Sequence, residues 1–559
     1  MVITAAVLIV GVAGVVTRAP GSGHAADRMG AATAAAATPA PLRDAGPTPA
    51  DRDVAFELVL AVPGRGAMQA YAASVGDPRS PDYRHFLTAD EIGARFGLSD
   101  PDLGRIADWA TGHGVVVEPA APQRIAVAAT ATAAAVERLF GGGLRDYTDT
   151  AGQTFHAPTD TPRVPPALAG LVTAVDGLDA RPSERPASAG LIAAGPPGGM
   201  TPSIIDRLYE LEGLRASGLH GEGQTVAIVS LDTFDPGDVT AFDRLAGTSG
   251  PPVERIKVNG GVDSPGDGQG EVSLDIDVLR AVAPKAQILD YEAPNKSGAI
   301  ATILDRIVSD GRTDIVSISW GSCELSRSST AMARLASSMA AAAAAGISVF
   351  VASGDHGAYD CIDTDRTDQR LSVDSPASDV NAIAVGGTFV SMLDDGTYID
   401  EVAWEEPLTA WAPGGGVSTI YQRPAWQTGG GVENARSDGM RQVPDVAAAA
   451  DPASGFLSVT AGDAGSSGGT SAASPFWAGF TVLVRQLAQG DGVQGLGPIG
   501  PTLYAVAAAQ APGAVFHDVT RGGNLVDDAG AGWDYATGLG TPRGTPLARA
   551  IVDHVKAAR

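Results

Sequence analysis

The chain has 559 residues, of which 44% are apolar, with 71 glycines and 38 prolines, so it can form one large core and a small additional domain. Its net charge of −26 and its isoelectric point near 4.6 argue against nucleic acid binding and against docking on anionic membranes. The acidity is compatible with work at acid pH, where part of the charge is neutralised, but it does not by itself establish an acid optimum.

An apolar run occupies residues 2–16 and ends before Thr17 and Arg18. Its length suits the hydrophobic region of a secretory signal and is short for a transmembrane helix. No Lys or Arg precedes the run, so a short membrane anchor remains the alternative. We expect a signal peptide or short anchor over residues 1–25, a disordered Ala/Pro-rich segment over 26–50, and a secreted, extracellular protein.

Residues 51–181 have the pattern of a small separate domain. The strand-like segments FELVLAV, VVVE and RIAVAA alternate with two stretches of helical periodicity, the first of which includes Ile92, Phe96 and Ile106. This interleaving predicts a small α+β sandwich of the ferredoxin-like type.

A segment rich in Pro, Gly, Ser and Ala follows at residues 182–200. Its composition predicts an exposed, extended linker. The next residues, 201–214, predict a short amphipathic helix at the start of a large domain that covers residues 201–559.

Two carboxylates, Glu271 and Asp275, stand four positions apart in GQGEVSLDIDVLRAVAP, residues 268–284. On a helix they share one face, and the residues around them are apolar on nearly all sides, which is typical of a buried helix. Two buried carboxylates push their pKa values apart, which makes one of them a proton acceptor. The alternative is a solvated acidic turn, or carboxylates that complement the helix dipole.

The apolar run VFVASGDHG, residues 349–357, predicts a buried parallel strand that places Asp355 at its carboxyl end, where ligand-binding and catalytic groups of open α/β sheets gather. A protonated Asp there could donate a hydrogen bond to an oxyanion, and an ordinary strand-end turn is the alternative.

Cys323 and Cys361 each follow a predicted core strand. In an exported protein, this placement predicts a disulfide between two loops at the same sheet edge.

The string SGGTSAASP, residues 467–475, places Ser471 between a Gly-rich turn and an apolar segment that begins at Pro475. This context suits a serine nucleophile at a helix N-terminus, where free N–H groups lie near a developing charge. A plain turn-to-helix cap is the alternative. None of the eight histidines lies in an HGTH-type string, so the carboxylates are the candidate proton acceptors.

Taken together, these strings resemble the sedolisin family of serine-carboxyl peptidases. The set comprises GEVSLDIDV, SISWG, ASGDHG, SPAS with AVGGT, GGGVS, PDVAAAADP and GGTSAASP, in the order of that family, and covers almost all of residues 200–545. The resemblance implies a subtilisin-like α/β domain with a mainly parallel sheet flanked by helices. It also implies that Ser471 is the nucleophile, Glu271 the general base, Asp275 its supporting carboxylate and Asp355 the oxyanion-stabilising residue.

The resemblance extends to the small domain through YRHFLT and ARFGLS. It implies that residues 51–181 are an activation propeptide that assists folding and covers the active site, and we expect maturation by cleavage within residues 182–200. Trp320 in SISWG is expected to line the substrate cleft, with a core Trp as the alternative. Asp374, just before SPAS, is expected to line a subsite.

Near the C-terminus, HDVTRGG at 517–523 and AGAGWDYATGLG at 529–540 resemble the single calcium site of the family. Carboxylates and main-chain carbonyls are the oxygen ligands that a hard cation requires, although an acidic turn is the alternative. The implied ligands of one Ca²⁺ are the side chains of Asp518 and Asp534 and the main-chain oxygens of Val519, Gly530 and Gly532. Asp527 and Asp528 lie in the same loop and remain open as further candidates.

Two departures from the family pattern bear on the pH profile. His356 follows the oxyanion Asp where the family usually has Ser, and Ser230 stands where some members place an additional Glu, with Asp232 as its candidate substitute.

The sequence predicts a secreted, acid-acting endopeptidase that is made as a self-processing zymogen. Its expected partners are polypeptide substrates and its own propeptide, and we expect a monomer that does not bind nucleic acid. The alternatives are an exopeptidase of the tripeptidyl-peptidase type within the same family, and a catalytically inactive homologue that acts as a binding module.

Overall fold

The computed structural model describes residues 42–149, 152–187, 198–363, 365–393 and 397–558. The predicted signal or anchor segment lies outside these ranges, as does most of the predicted disordered segment. Across the described ranges, we find no helix whose length and apolar character would let it cross a bilayer.

The N-terminal domain is a four-stranded antiparallel sheet covered by helices. Its elements, with the linker strand that follows, are β1 (Arg43–Pro47), β2 (Asp53–Leu60), α1 (Arg65–Val75), α2 (Ala89–Phe96), α3 (Asp100–His113), β3 (Val116–Val117), β4 (Ala126–Thr132), α4 (Ala133–Phe140), β5 (Leu144–Thr148), β6 (Thr154–Pro158), β7 (Val172–Asp176) and β8 (Arg185–Pro186). The sheet order is β3-β4-β2-β7, and apolar residues of α3 and α4 pack against β2 and β4. This order, with helices after the first and third strands, confirms the predicted ferredoxin-like sandwich.

The prediction of disorder over residues 26–50 is wrong at its C-terminal end. Residues Arg43–Pro47 form β1, which pairs antiparallel with β5 in a separate sheet of order β1-β5-β6. Composition does not reveal this strand, because it is held by main-chain pairing and by an ion pair between Asp44 and Arg145 rather than by apolar residues. The small domain therefore begins before residue 51.

The C-terminal domain is built on a central sheet of eight strands. Its helices are α5 (Pro202–Leu208), α6 (Glu212–Ala216), α7 (Pro236–Ala246), α8 (Gln269–Val282), α9 (Ala299–Asp310), α10 (Ser329–Ala344), α11 (Thr470–Gly490), α12 (Gly500–Ala509) and α13 (Gly544–Ala557). Its strands are β9 (Thr225–Ser230), β10 (Glu254–Lys257), β11 (Gln287–Glu292), β12 (Ile315–Ile318), β13 (Trp320–Cys323), β14 (Ser348–Ala352), β15 (Asp374–Ser375), β16 (Ala382–Met392), β17 (Tyr398–Ala403), β18 (Gly416–Gln422), β19 (Met440–Val443), β20 (Val446–Ala449), β21 (Phe456–Thr460), β22 (Asp463–Ser467), β23 (Phe516–His517) and β24 (Thr541–Pro542).

The central sheet has the order β10-β11-β9-β12-β14-β16-β17, and β20 pairs with β16. All of these pairings are parallel except that between β16 and β17. Strands β9, β12 and β14 are completely or almost completely buried, as expected of parallel strands covered by helices on both faces. The predicted subtilisin-like α/β fold with a mainly parallel sheet is confirmed.

The predicted single helix over residues 201–214 is instead two short helices, α5 and α6. The break follows from Glu210, whose φ of 54° lies in the left-handed region that does not continue a helix.

The N-terminal domain packs against α9 and α10. Arg334 of α10 has a side chain only 1% exposed, and its guanidinium lies 2.7 Å from a carboxylate oxygen of Asp305 in α9 and 3.4 Å from one of Glu57 in β2. The Leu87 N–H also donates a hydrogen bond to the carbonyl of Ala344, at 3.0 Å. From this position, the segment after β7 extends to the carboxyl edge of the central sheet.

Candidate active site

Helix α8 carries the predicted carboxylate pair, and every residue from Glu271 to Val282 is buried. Glu271 is 2% exposed. Burial, followed by the negative charge of Glu271, raises the pKa of Asp275 well above its ordinary range. Asp275 therefore keeps its proton at a pH where an ordinary aspartate has lost it, and the alternative of a solvated acidic turn does not hold.

Ser319, between β12 and β13, joins this pair to the start of α11. Its hydroxyl lies 2.6 Å from a carboxylate oxygen of Asp275 and 3.3 Å from the main-chain oxygen of Ser471. The Ser471 hydroxyl in turn donates to the main-chain oxygen of Ser319, at 3.4 Å. The Ser471 carbonyl is free to accept because Pro475, four positions later, has no N–H to donate along the helix.

Ser319 was not among the residues predicted from the sequence. It stands beside Trp320 in SISWG, and two signals could have indicated it. One is a small polar residue at the end of an apolar core strand. The other is Pro475, which leaves an acceptor on Ser471 that some other group has to satisfy.

Ser471 is the second residue of α11 and is fully buried. The N-cap position is Gly469, whose φ of 96° is one that residues with side chains rarely adopt. A glycine occupies the cap, so Ser471 lies within the first turn of α11, directly after the Gly-rich turn that the sequence predicts. The Ser471 N–H donates to the main-chain oxygen of Ala187 in the linker, at 3.0 Å.

Asp355 lies directly beyond β14, as predicted, and it contacts the residue before the candidate nucleophile. One of its carboxylate oxygens accepts hydrogen bonds from the main-chain N–H of Thr470 at 2.8 Å and from the Thr470 hydroxyl at 2.9 Å. The carboxyl group is thereby held beside the N-terminus of α11. His356, the next residue, is directed to the carbonyl of Ala410, with its Nδ1 3.3 Å from that oxygen.

The predicted substrate-lining residues lie on β13 and β15, next to the linker strand β8 in a three-stranded sheet of order β15-β13-β8. Trp320 pairs antiparallel with Pro186, and Asp374 pairs with Cys323 on the opposite edge of β13. Asp374, Asp355 and Pro186 line a common cavity of about 220 Å³. Trp320 also belongs to the main hydrophobic core. The alternative of a core Trp is therefore compatible with its position beside the linker strand.

Cys323 and Cys361 form the predicted disulfide, with their Cα atoms 4.9 Å apart. The bond ties the end of β13, whose first two residues pair with the linker strand, to the loop that follows Asp355. It therefore braces two sides of the same cleft.

Ser230 interacts with Asp290, a buried carboxylate on the neighbouring strand β11. Burial raises the pKa of Asp290 in β11 to about 7, while the Ser230 hydroxyl acts to lower it. The charge of Asp290 contributes in turn to the raised pKa of Asp275. The carboxylate of Asp232 accepts the Gly268 N–H at 2.7 Å and orders the loop before α8.

The residues expected to bind calcium meet around one Gly-rich loop. The Gly532 N–H donates to both carboxylate oxygens of Asp518 at 3.1 Å, and the Gly530 N–H donates to Asp534 at 3.0 Å. Burial raises the pKa of Asp534 to about 6. A hard cation would offset that burial, so the two carboxylates and the nearby main-chain oxygens fit the chemistry of calcium.

The other acidic residues of this loop are directed elsewhere. Asp527 forms an ion pair with Arg436, and Asp528 takes part in a main-chain bridge with Gly523. Among the described residues, no cluster of three or more His, Cys, Asp or Glu is arranged to hold a metal, so a cation here depends on main-chain oxygens.

Known proteins resemble both parts of the chain. Residues 41–181 match the family described as "Pro-kumamolisin, activation domain", and residues 259–498 match the "Subtilase family". Kumamolisin of Bacillus sp. (strain MN-32) is 33% identical over 92% of this chain and 95% of its own length. Tripeptidyl-peptidase 1 of Rattus norvegicus is 26% identical over 86% of this chain and 88% of its own length.

A solved structure resembles the C-terminal domain. Pseudomonas sedolisin, a serine-carboxyl proteinase complexed with two molecules of pseudo-iodotyrostatin, superposes with a TM-score of 0.56 at 28% identity. The superposition covers 64% of this chain and 99% of that one.

Proposed function

Because this chain belongs to the sedolisin family of serine-type peptidases and carries an activation prodomain, we propose that it is a secreted, acid-acting endopeptidase made as a self-processing zymogen. The Cys323–Cys361 disulfide supports export, since such bonds persist in oxidising compartments.

The observation that carries the proposal is the place of the linker. The Ala187 N–H donates to the Ser319 carbonyl, and the Ala187 carbonyl accepts the Ser471 N–H, both at 3.0 Å. Antiparallel main-chain pairing is how extended peptides bind along an enzyme cleft. A segment of the chain itself thus lies where a peptide substrate would bind.

The proposed chemistry uses four side chains. Ser471 attacks the peptide carbonyl, and Glu271 accepts its proton and later delivers it to the leaving amine. Asp275, protonated because its pKa is raised, donates to Glu271 and orients it. Protonated Asp355 and the Ser471 N–H stabilise the oxyanion. Because this arrangement needs Asp355 protonated, we expect activity at acid pH and its loss toward neutrality.

The depth of the cleft favours an endopeptidase over an exopeptidase that releases tripeptides. Such an exopeptidase has to close the cleft beyond the third residue in order to bind a free N-terminus. Here the linker continues through a fourth and a fifth residue, Glu184 and Ser183, whose N–H groups both donate to the Asn295 side chain at 3.1 Å. This passage of the linker beyond a third residue supports the proposal of an endopeptidase.

We also propose that the loop around Gly530 and Gly532 binds one Ca²⁺. Its donors would be the Asp518 and Asp534 side chains with the main-chain oxygens of Val519, Gly530 and Gly532. The ion would stabilise this loop.

The test is to express residues 26–559, shift the pH from 7 to 4, and follow both mass and casein cleavage. The wild type should lose its N-terminal domain and gain activity, whereas Ser471→Ala and Glu271→Gln should remain intact and inactive. Ser474→Ala serves as the matched control: it lies on the same helix, its hydroxyl contacts Ser317 at 2.9 Å, and it should mature normally.

Other outcomes separate the alternatives. Release of tripeptides from a defined peptide would favour the exopeptidase. A wild type that stays intact at pH 4 and does not react with a serine-directed probe would favour an inactive binding homologue.

A further inference from the structure

We infer that Arg327 selects an acidic side chain at the fourth position before the bond that this enzyme cuts, and that the first cut of the zymogen falls between Ala187 and Ser188. The inference rests on the proposed function, because it takes Ser471 as the nucleophile.

The hydrogen bonds of Ala187 set the register of the linker. In serine peptidases of this kind, the carbonyl that is attacked points at the N–H groups that stabilise the oxyanion. The carbonyl held at the Ser471 N–H is that of Ala187, at 3.0 Å. Pro186 and Arg185 continue the strand opposite Trp320 and Gly321. The bond on the far side of that carbonyl is Ala187–Ser188.

The proposed cut consumes one water. The Ser471 oxygen forms an ester with the Ala187 carbonyl carbon while the C–N bond to Ser188 breaks. The Ser471 proton passes through Glu271 to the departing nitrogen of Ser188. A water molecule then gives its proton to Glu271 and its hydroxyl to the ester carbon, which releases Ala187 as a free acid, and the proton returns to the Ser471 oxygen.

Glu184 is the fourth residue before this bond, and it is buried although the two residues after it are exposed. It is 4% exposed, whereas Arg185 and Pro186 face solvent. Its carboxylate accepts a hydrogen bond from Nη1 of Arg327 at 3.0 Å and pairs with Nη2 as well. The Arg327 side chain is 10% exposed and also donates to the Ser375 carbonyl at 2.8 Å.

A buried charged pair of this kind discriminates strongly. If one partner is replaced by a neutral group, the other charge stays buried without compensation. An uncharged substrate side chain in this subsite would leave the charge of Arg327 buried without compensation. The subsite should therefore favour Glu or Asp over a neutral residue of the same size.

Asn295 holds the same position by a different means. Its side-chain amide donates to the Glu184 carbonyl at 2.8 Å, and its oxygen accepts the Ser183 and Glu184 N–H groups. These contacts involve only the main chain of the substrate. Asn295 thus supports any residue at the fourth position, whereas Arg327 reads the side chain.

The first experiment compares two quenched fluorescent peptides with the matured wild-type enzyme. One is PSERPASAGL, residues 182–191, and the other has Gln in place of its Glu. At pH 5.5, above the ordinary glutamate pKa of about 4.3, kcat/KM should favour the Glu peptide by at least about 10-fold. Mass spectrometry should show that both peptides are cut at the Ala-Ser bond of their Pro-Ala-Ser-Ala sequence.

Two variants assign the preference to its source. In Arg327→Gln, the ratio of kcat/KM for the two peptides should fall to about 1. In Asn295→Ala, kcat/KM should fall for both peptides while the ratio is kept. A preference that persists in Arg327→Gln would overturn the assignment. The comparison of the two peptides on wild type needs no variant, so it stands even if a variant does not fold.

The outcomes also separate this inference from the proposed function. Equal cleavage of both peptides by an active wild type, or cleavage at another bond, would sink the inference and leave the peptidase in place. No cleavage of either peptide or of casein would refute the peptidase itself.

The second experiment uses the zymogen. Early in acid processing, the first new N-terminus should be Ser188, and Glu184→Gln should slow this cut by at least about 10-fold. Asp179→Asn is the matched control, because its ion pair with Arg181 lies on the surface, and it should process at the wild-type rate. A first cut elsewhere, or an equal rate for Glu184→Gln, would contradict the inference.

Discussion

Replacing Glu401 by Gln should make the folded protein less sensitive to rising pH. Glu401 lies buried in β17, where its carboxylate accepts hydrogen bonds from the hydroxyls of Thr388 at 2.6 Å and Thr541 at 2.7 Å. Burial nevertheless raises its pKa from the ordinary 4.5 to about 7, because two neutral donors do not replace the water that an ionised carboxylate loses.

The sign and size of the effect follow from this shift. The folded state binds the proton more tightly than the unfolded state, so the stabilisation is complete below pH 4.5 and is lost as the pH rises through about 7. The difference between a pKa of 4.5 and one of about 7 corresponds to about 3 kcal/mol. Gln has nearly the same shape as Glu and cannot ionise. Between pH 4 and pH 8, the free energy of unfolding should therefore fall by up to about 3 kcal/mol less in Glu401→Gln than in its parent.

The measurement is urea unfolding at pH 4 and pH 8, in a Ser471→Ala background that prevents self-digestion. Glu405→Gln, which alters an exposed carboxylate four positions away, is the control and should keep the parental pH dependence. The reasoning is refuted if Glu401→Gln loses as much stability between the two pH values as its parent does.

Three further predictions concern other parts of the molecule. Ser319→Ala should lower kcat about 10- to 100-fold at unchanged KM by removing the hydrogen bond to Asp275, and an unchanged kcat in peptide assays would contradict this role. EGTA should lower the melting temperature of the wild type but not of Asp534→Asn, as calorimetry can show; equal shifts would argue against the calcium site. Glu57→Gln should weaken binding of the propeptide by breaking its ion pair with Arg334. After cleavage, size-exclusion chromatography should show that the N-terminal and C-terminal domains separate at a higher pH than in wild type, and separation at the same pH would contradict this.

Local sequence patterns predicted the elements that carry the candidate site. The apolar surroundings of Glu271 and Asp275 indicate a buried helix, the run before Asp355 indicates a core strand, and the glycines before Ser471 indicate a turn into a helix. Each of these signals lies within about ten residues of the side chain concerned. The parallel sheet then brings the three together, because its strands end at one edge.

The features that escaped prediction depend on contacts between distant segments. Ser319 acquires its role from a carbonyl left free by Pro475, and Glu184 is buried among distant segments that include Arg327 and Asn295. The linker was therefore expected to be exposed throughout. Amino-acid composition also does not predict β1, which is stabilised by its pairing with β5.

The position of Ala187 also affects the time course of activation. When the linker is cut, the new carboxyl end stays at Ser471, because the N-terminal domain remains docked on α9 and α10. The cut segment then acts as a product inhibitor that stays bound in the active site, and cleavage of the chain precedes the appearance of activity. The lag between the two should be set by dissociation of the N-terminal domain, so it should not depend on the protein concentration and should shorten when that domain is digested.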